Sequence, residues 1–172
     1  MKIGLLGKMA SGKTTTANLF KQYFPHLHSL SFADPVRHIA SDIFGVTGKN
    51  RELFQNIGNK MREIDPDVWV NYAIRKANLH QDVIIDDVRY INEILALKSE
   101  GFTIIYLEVS HEAQRQRILA NYWDDATQHL DRLDHESEQA DSLAYLADQT
   151  IRADTLEQLT KQIRILIGYD TQ

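Results

Sequence analysis

The segment that most restricts what this chain can become is GLLGKMASGKTTTANLF, residues 4–20, where an apolar run passes into a helix-forming run. An ordinary turn needs a single glycine. Here Gly7 and Gly12 frame four residues and are followed at once by Lys13 and Thr14, the spacing G-x-x-x-x-G-K-[ST]. The flanks agree with that pattern. Residues 2–6 read as a short buried strand, and 13–24 read as a helix with Ala17, Leu19, Phe20, Tyr23 and Phe24 as its apolar positions. Glycines let the backbone wrap so that successive N–H groups turn inward, and the helix start adds positive potential at the same spot. The segment is therefore expected to cradle the phosphates of a nucleoside triphosphate with Gly7, Lys8, Ala10, Ser11, Gly12, Lys13, Thr14 and Thr15. Lys13 would reach the β- and γ-phosphates, and the Thr14 hydroxyl would complete a Mg²⁺ shell.

Such a site needs a scaffold, and the rest of the chain reads as an α/β sheet protein of one domain. Strand-like runs at 2–6, 28–32, 82–86, 102–109 and 149–153 alternate with helical patterns near 13–24, 35–44, 51–63, 67–79, 91–100, 111–121, 137–147 and 155–167. Between the second and third strands lie about 50 residues of helical pattern, more than one crossover requires. Partner classes narrow as well. The net charge of −5 argues against a nucleic acid held by bulk electrostatics, and the absence of cysteine removes thiolate metal sites and disulfides. No apolar run is as long as a membrane span, and the N-terminal apolar stretch is too short for a secretion signal. A cytoplasmic enzyme acting on small molecules is the expectation, with no nucleic acid and no membrane as partners; a homodimer is left open.

In open α/β sheets ligands bind beyond the carboxyl ends of the strands, so the strand ends carry the candidates. The second strand runs into FADPVR, where Asp34 before Pro35 has the form of an N-cap ahead of a first-turn proline, and Arg37 lies one turn on. The third runs into DDVRYINE, delivering Asp86, Asp87 and Arg89 to the same rim. One carboxylate would serve a Mg²⁺-bound water or take a proton, and the arginine would grip a phosphoryl group. In the long insertion Gln55, Gly58 and Arg62 share one helix face, and the mid-helix glycine suggests a close approach. Trp69 reads either as core or as an acceptor contact. Arg115 and Arg117 sit on the helix after the fourth strand, ahead of a polar, acid-rich segment with the character of a lid. His129, Asp131, Asp134 and His135 in that segment lack a spacing that would make them a metal site.

Taken in order, GKMASGKTT, FADPVR, QNIGNKMREIDPDVWV, DDVRYINE and DHESE resemble the P-loop deoxynucleoside monophosphate kinases, the phage-type family and its bacterial relatives. The resemblance implies a nucleoside monophosphate kinase-like P-loop NTPase fold, a five-stranded parallel sheet in the order 2-3-1-4-5 with helices on both faces. It implies transfer of the γ-phosphoryl of ATP, with Mg²⁺, to a deoxynucleoside monophosphate. On this basis residues 34–80 form an acceptor-binding helical lobe and residues 115–135 a lid. Lys13, Asp87, Arg89, Arg115 and Arg117 serve catalysis. Asp34, Arg37, Gln55, Arg62, Trp69, Asp86, Asp87 and Arg89 face the acceptor, and Ala153, in TIRADTLEQL, flanks the adenine. Two rival readings share the P-loop: a small-molecule kinase resembling dephospho-coenzyme A or phosphomevalonate kinases, and a nucleotide-binding switch. A guanine-reading N-K-x-D element, expected of such a switch, is absent.

The loop lysine yields the first test. Lys13→Ala should lower phosphoryl transfer on the order of 10²-fold or more, because a preorganised cation at the transferring group is lost. Activity of the purified variant within a few-fold of the parent would sink the reading of residues 7–15 as a phosphate cradle.

Overall fold

The computed structural model describes residues 1–121 and 140–169. Five parallel strands form one sheet: β1 (Lys2–Gly7), β2 (His28–Leu30), β3 (Val83–Val88), β4 (Thr103–Glu108) and β5 (Gln149–Arg152). Their order is β2-β3-β1-β4-β5, as expected. The central strand β1 aligns Ile3 with Ile84 of β3 and with Thr103 of β4. Its register against β3 shifts between Gly4 and Leu6, just before the chain leaves the sheet. All three strand runs are apolar on both faces because helices cover both faces.

The side-chain alternation sorts those faces. Leu6, Val83, Ile85, Ile104 and Tyr106 point to one side, where they meet α2 (Asp34–Phe44), α3 (Arg51–Ile64), α4 (Val68–Ala77) and α5 (Ile91–Ser99). Ile3, Leu5, Ile84, Ile105 and Leu107 point to the other, against α1 (Lys13–Tyr23) and α7 (Leu156–Leu166). The remaining helix, α6 (His111–Asn121), follows β4 and buries Gln114 and Ile118. The pattern near 137–147 ends in helical residues 140–142 and a 3-10 turn at Ala144–Leu146, its first residues lying outside the described ones. Among the described residues no helix is long and apolar enough to cross a membrane.

Local signals explain most helix starts. Asn50 caps α3 by accepting from the Leu53 N–H at 3.1 Å, and Thr155 caps α7 through the Gln158 N–H at 3.2 Å. At α2 the expectation fails. Asp34 is the first helical residue, not the cap, and Ala33 holds the N-cap position without a side-chain acceptor of its own. The acceptor comes from another strand, Asp87, so Asp34 is left to pair with Arg37 at 2.8 Å. At α4 the start is set by a turn. Asp65 accepts from the Asp67 N–H at 2.9 Å, closing a turn through Pro66, and the helix begins at Val68.

Trp69 is corrected outright as an acceptor contact. It is 3 % exposed, packs in the core between α3, α4 and the sheet, and donates its indole N–H to the Gly58 carbonyl at 3.2 Å. At Gly58 the tryptophan meets only the carbonyl; a Cβ there would approach the Arg62 guanidinium, at 3.4 Å, and not the indole. Trp69→Ala should cost about 3–5 kcal/mol of stability through the cavity it leaves, and Trp69→Phe clearly less. Urea unfolding of both variants checks this. A stable Trp69→Ala protein with a selective loss of acceptor binding would restore the acceptor reading.

Candidate active site

The loop Gly7–Lys13 wraps through two left-handed residues, Ala10 at φ 58° and Gly12 at φ 100°. Gly12 precedes α1 and would strain any side chain, whereas Gly7 is fixed by crowding. A Cβ there would sit 2.6 Å from the Ser11 Oγ and 3.0 Å from the Leu107 carbonyl. The carbonyls of the wrap are met by donors from inside and outside it; the Ser11 N–H reaches the Lys8 carbonyl at 3.2 Å. Lys13 is half-buried, not solvent-facing, and donates to the Gly7 and Lys8 carbonyls at 2.6 and 2.7 Å. Gln114 donates to Met9 at 2.8 Å and Arg117 to Ala10 at 3.0 Å. Lys8 leaves the cradle to pair with Asp141 at 2.6 Å, and Asp141 in turn accepts from the Tyr106 hydroxyl.

At the exit of β3 the two adjacent aspartates diverge. The Thr14 hydroxyl donates to Asp86 at 3.1 Å. Burial, and then the charge of Asp87, raise the Asp86 carboxyl above the ordinary range. A cation between Thr14 and Asp86 would relieve that cost, and two hard oxygen donors on adjoining elements are the ligand chemistry Mg²⁺ takes. Asp87 turns the other way. Its oxygens accept from the Ser31 hydroxyl at 2.7 Å, the Phe32 N–H at 2.9 Å and the Ala33 N–H at 3.0 Å. It thus holds the β2–α2 loop and the start of α2 against the sheet.

One cavity of about 1060 Å³ joins these parts. It runs from Ala10, Gly12, Lys13, Thr14 and Thr15 past Asp86 and Asp87 to Asp34, Arg37 and Arg89. Arg117 lines it as well, together with Asp154, Thr155 and Leu156 of the β5–α7 loop. Arg117 ties that loop to the cradle, since its guanidinium also donates to the Ala153 and Asp154 carbonyls at 3.3 and 3.0 Å. Ala153 itself is buried, and only its neighbours reach the cavity. Gln55 and Arg62 are not brought to this cavity: Gln55 is exposed on α3, and Arg62 lies over the Tyr90 ring at 4.9 Å. Arg115 is exposed on α6 and also stands outside the lining. The part of the expected lid from 122 to 135, with His129, Asp131, Asp134 and His135, and the DHESE motif at 134–138 lie outside the described residues.

Three supporting residues escaped the sequence reading. Ser31 gave no signal beyond its place before FADPVR. Gln114, buried at 1 % exposure, was legible only as the member of an i, i+3, i+4 face with Arg117 and Ile118. Glu93 stands in DDVRYINE but has the look of an ordinary helix-start carboxylate. It is 3 % exposed and accepts from the Arg89 N–H at 2.7 Å and the Tyr90 N–H at 3.0 Å.

No protein-family model matches the chain, and no curated protein matches it in sequence. Its fold does have solved counterparts. Shikimate kinase from Aquifex aeolicus aligns at TM-score 0.66 and 16% identity, over 99% of this chain and 98% of its own. Shikimate kinase from Bacteroides thetaiotaomicron aligns at 0.64 and 15%, over 98% of each chain. TT1252 from Thermus thermophilus aligns at 0.68 and 12%, over 100% of this chain and 98% of its own. At these identities the likeness establishes the fold alone: a five-stranded parallel sheet in the order β2-β3-β1-β4-β5 with helices on both faces.

Burial of Glu93 has a measurable signature. Desolvation raises its pKa from 4.5 to about 7. The folded state then holds the proton more tightly than the unfolded chain. Its contribution to stability is full below about pH 4.5 and is lost as the pH rises through 7. Relative to Glu93→Gln, the parent should therefore lose unfolding free energy between pH 5 and 7 and run parallel above that. Urea titrations across pH 5–8 check this, and parallel curves throughout would mean that the carboxyl ionises as in water.

Proposed function

We propose that this protein transfers the γ-phosphoryl group of ATP to a deoxynucleoside monophosphate. The observation that carries the reading is the single cavity joining the phosphate cradle, the Thr14–Asp86 pair and the Arg37/Arg89 end. Its volume of about 1060 Å³ lies at the upper end of the range for small-ligand sites, and its lining runs from the cradle to Arg37 and Arg89, the span a donor and an acceptor would have to share. The sequence resemblance named above supplies the identity of the acceptor, and the P-loop kinase folds of the structural neighbours support a kinase in general.

The work assigned to the residues is mostly positioning and charge placement. The cradle amides and Lys13 hold the donor phosphates, and Lys13 exchanges the Gly7 and Lys8 carbonyls for phosphate oxygens when they arrive. Thr14 and Asp86 would hold Mg²⁺, which neutralises charge on the phosphates when bound. Arg117 keeps the β5–α7 loop, where Asp154 to Leu156 would meet the base, in fixed relation to the cradle. Arg37 and Arg89 are exposed at the far end and would bind the acceptor phosphate by charge-assisted hydrogen bonds. Asp87 builds that end rather than reacting there, since its oxygens are committed to Ser31, Phe32 and Ala33. A phosphate acceptor, whose second pKa is about 6, attacks as its dianion at neutral pH and needs no base.

A second reading rests on a specific observation: three structural neighbours are named shikimate kinases, one of them in complex with shikimate. A small carboxylated alcohol would also suit Arg37 and Arg89, but its hydroxyl would require a base. Asp34, on the cavity wall beside Arg37, is the carboxylate placed for it. The two readings part on a panel of acceptors with ATP and Mg²⁺. Deoxynucleoside monophosphates should be phosphorylated, with Arg89→Ala raising acceptor KM at least about tenfold and Asp34→Asn retaining transfer. Turnover confined to hydroxy acids, and abolished by Asp34→Asn, would replace the first reading with the second.

A further inference from the structure

We infer that Glu93 is a positioning residue for the acceptor end of the cavity: its buried carboxylate fixes the main chain of Arg89 and Tyr90 and thereby sets where the Arg89 guanidinium meets an anionic acceptor. The inference deepens the proposed kinase reading and rests on it. Strand β3 ends at the fully buried Val88, after which the chain turns into α5 and has no ladder partner for its next amides. One oxygen of Glu93 takes both, Arg89 at 2.7 Å and Tyr90 at 3.0 Å. The same turn that puts Arg89 on the cavity wall puts the Tyr90 ring under the Arg62 guanidinium of α3, at 4.9 Å. Glu93 thus governs the acceptor arginine and the seam between that turn and the helical lobe.

A helix-start carboxylate usually works from the surface, where its charge stays in water. This one is removed from water, with Asp87 of β3 opposing its charge and Arg62 of α3 supporting it. Burying a carboxyl group is unfavourable unless its bonds are made. A merely local cap would not need the burial; a rigid mount for Arg89 does, because the packed wall allows the turn one geometry. Asp87 holds the opposite side of the cavity in the same manner, through the β2–α2 loop.

The test compares Glu93→Ala and Glu93→Gln with the parent, all assayed well below their melting temperatures. A glutamine oxygen can accept from both amides; alanine offers nothing. Glu93→Ala should raise acceptor KM on the order of tenfold to a hundredfold, with ATP KM and kcat at saturation changing by no more than about threefold. Glu93→Gln should restore most of the acceptor affinity. Equal losses in ATP KM or kcat, or a glutamine variant as impaired as the alanine one, would overturn the inference. Amide hydrogen exchange gives a readout independent of turnover. Arg89 and Tyr90 should lose protection in Glu93→Ala and keep it in Glu93→Gln, and unchanged exchange in Glu93→Ala also overturns the inference. Failure of the parent to phosphorylate any deoxynucleoside monophosphate would count against the deoxynucleoside monophosphate reading itself, and the exchange arm would still decide whether Glu93 mounts Arg89.

Discussion

The structure depends on a loop that turns its amides inward. Once Gly7–Lys13 wraps around an anion-sized space, the carbonyls of the wrap must find donors. Some of the donors are local and two come from a helix about a hundred residues later. Lys13 covers Gly7 and Lys8, Gln114 covers Met9, Arg117 covers Ala10, and Thr16 covers Gly12 with its N–H at 2.8 Å and its hydroxyl at 2.9 Å. Helix α6 therefore packs where it does for a reason beyond the apolar contact of Ile118. Two of its polar side chains complete the hydrogen bonding of a loop about a hundred residues earlier.

The same logic orders the β3 exit. Three carboxylates stand within eight residues, and like charges so close repel one another unless each finds its own partners. Each has a different partner set: Asp86 the Thr14 hydroxyl, Asp87 two amides and a hydroxyl of the β2–α2 loop, Glu93 the two amides of its own turn. Direction, more than charge, decides function here. The carboxylate aimed at the cradle is suited to a cation, and the two aimed sideways hold the walls on which Arg37 and Arg89 stand.

How much of this the chain reveals in advance follows from the range of each interaction. The wrapped loop was legible because its residues are contiguous and its geometry demands glycine at Gly12 and Gly7. The sheet order was legible through resemblance, and the strand positions through runs that are apolar on both faces. Asp34 misled because a cap signal is local, whereas the start of α2 is held by Asp87, more than fifty residues away. Trp69 read from its own residues is most simply core, and the structure agrees; what fails is the acceptor role implied by the resemblance, since the packing of α4 on α3 buries the ring. Gln114 and Glu93 carry no local mark at all. Their importance comes from facing an unmet carbonyl or amide, which exists only after the sheet has assembled.

That division bears on how the two ends of the cavity respond to ligand. At the donor end the main cations already have protein partners: Lys13 rests on two carbonyls and Arg117 on three. A triphosphate entering there exchanges one set of hydrogen bonds for a better-charged one, and the net gain per bond is only the difference between them. At the acceptor end Arg37 and Arg89 are exposed, and Arg37 has the nearby Asp34 as its competitor. An anion there brings charge to groups now solvated mainly by water, with the larger differential contact. Since a ligand shifts a conformational equilibrium only through such differences, the acceptor has more leverage than the donor over any closing of the helical lobe. On the proposed reading, a site arranged in this way would bind its donor against a preformed wall and commit to reaction when the second anion arrives.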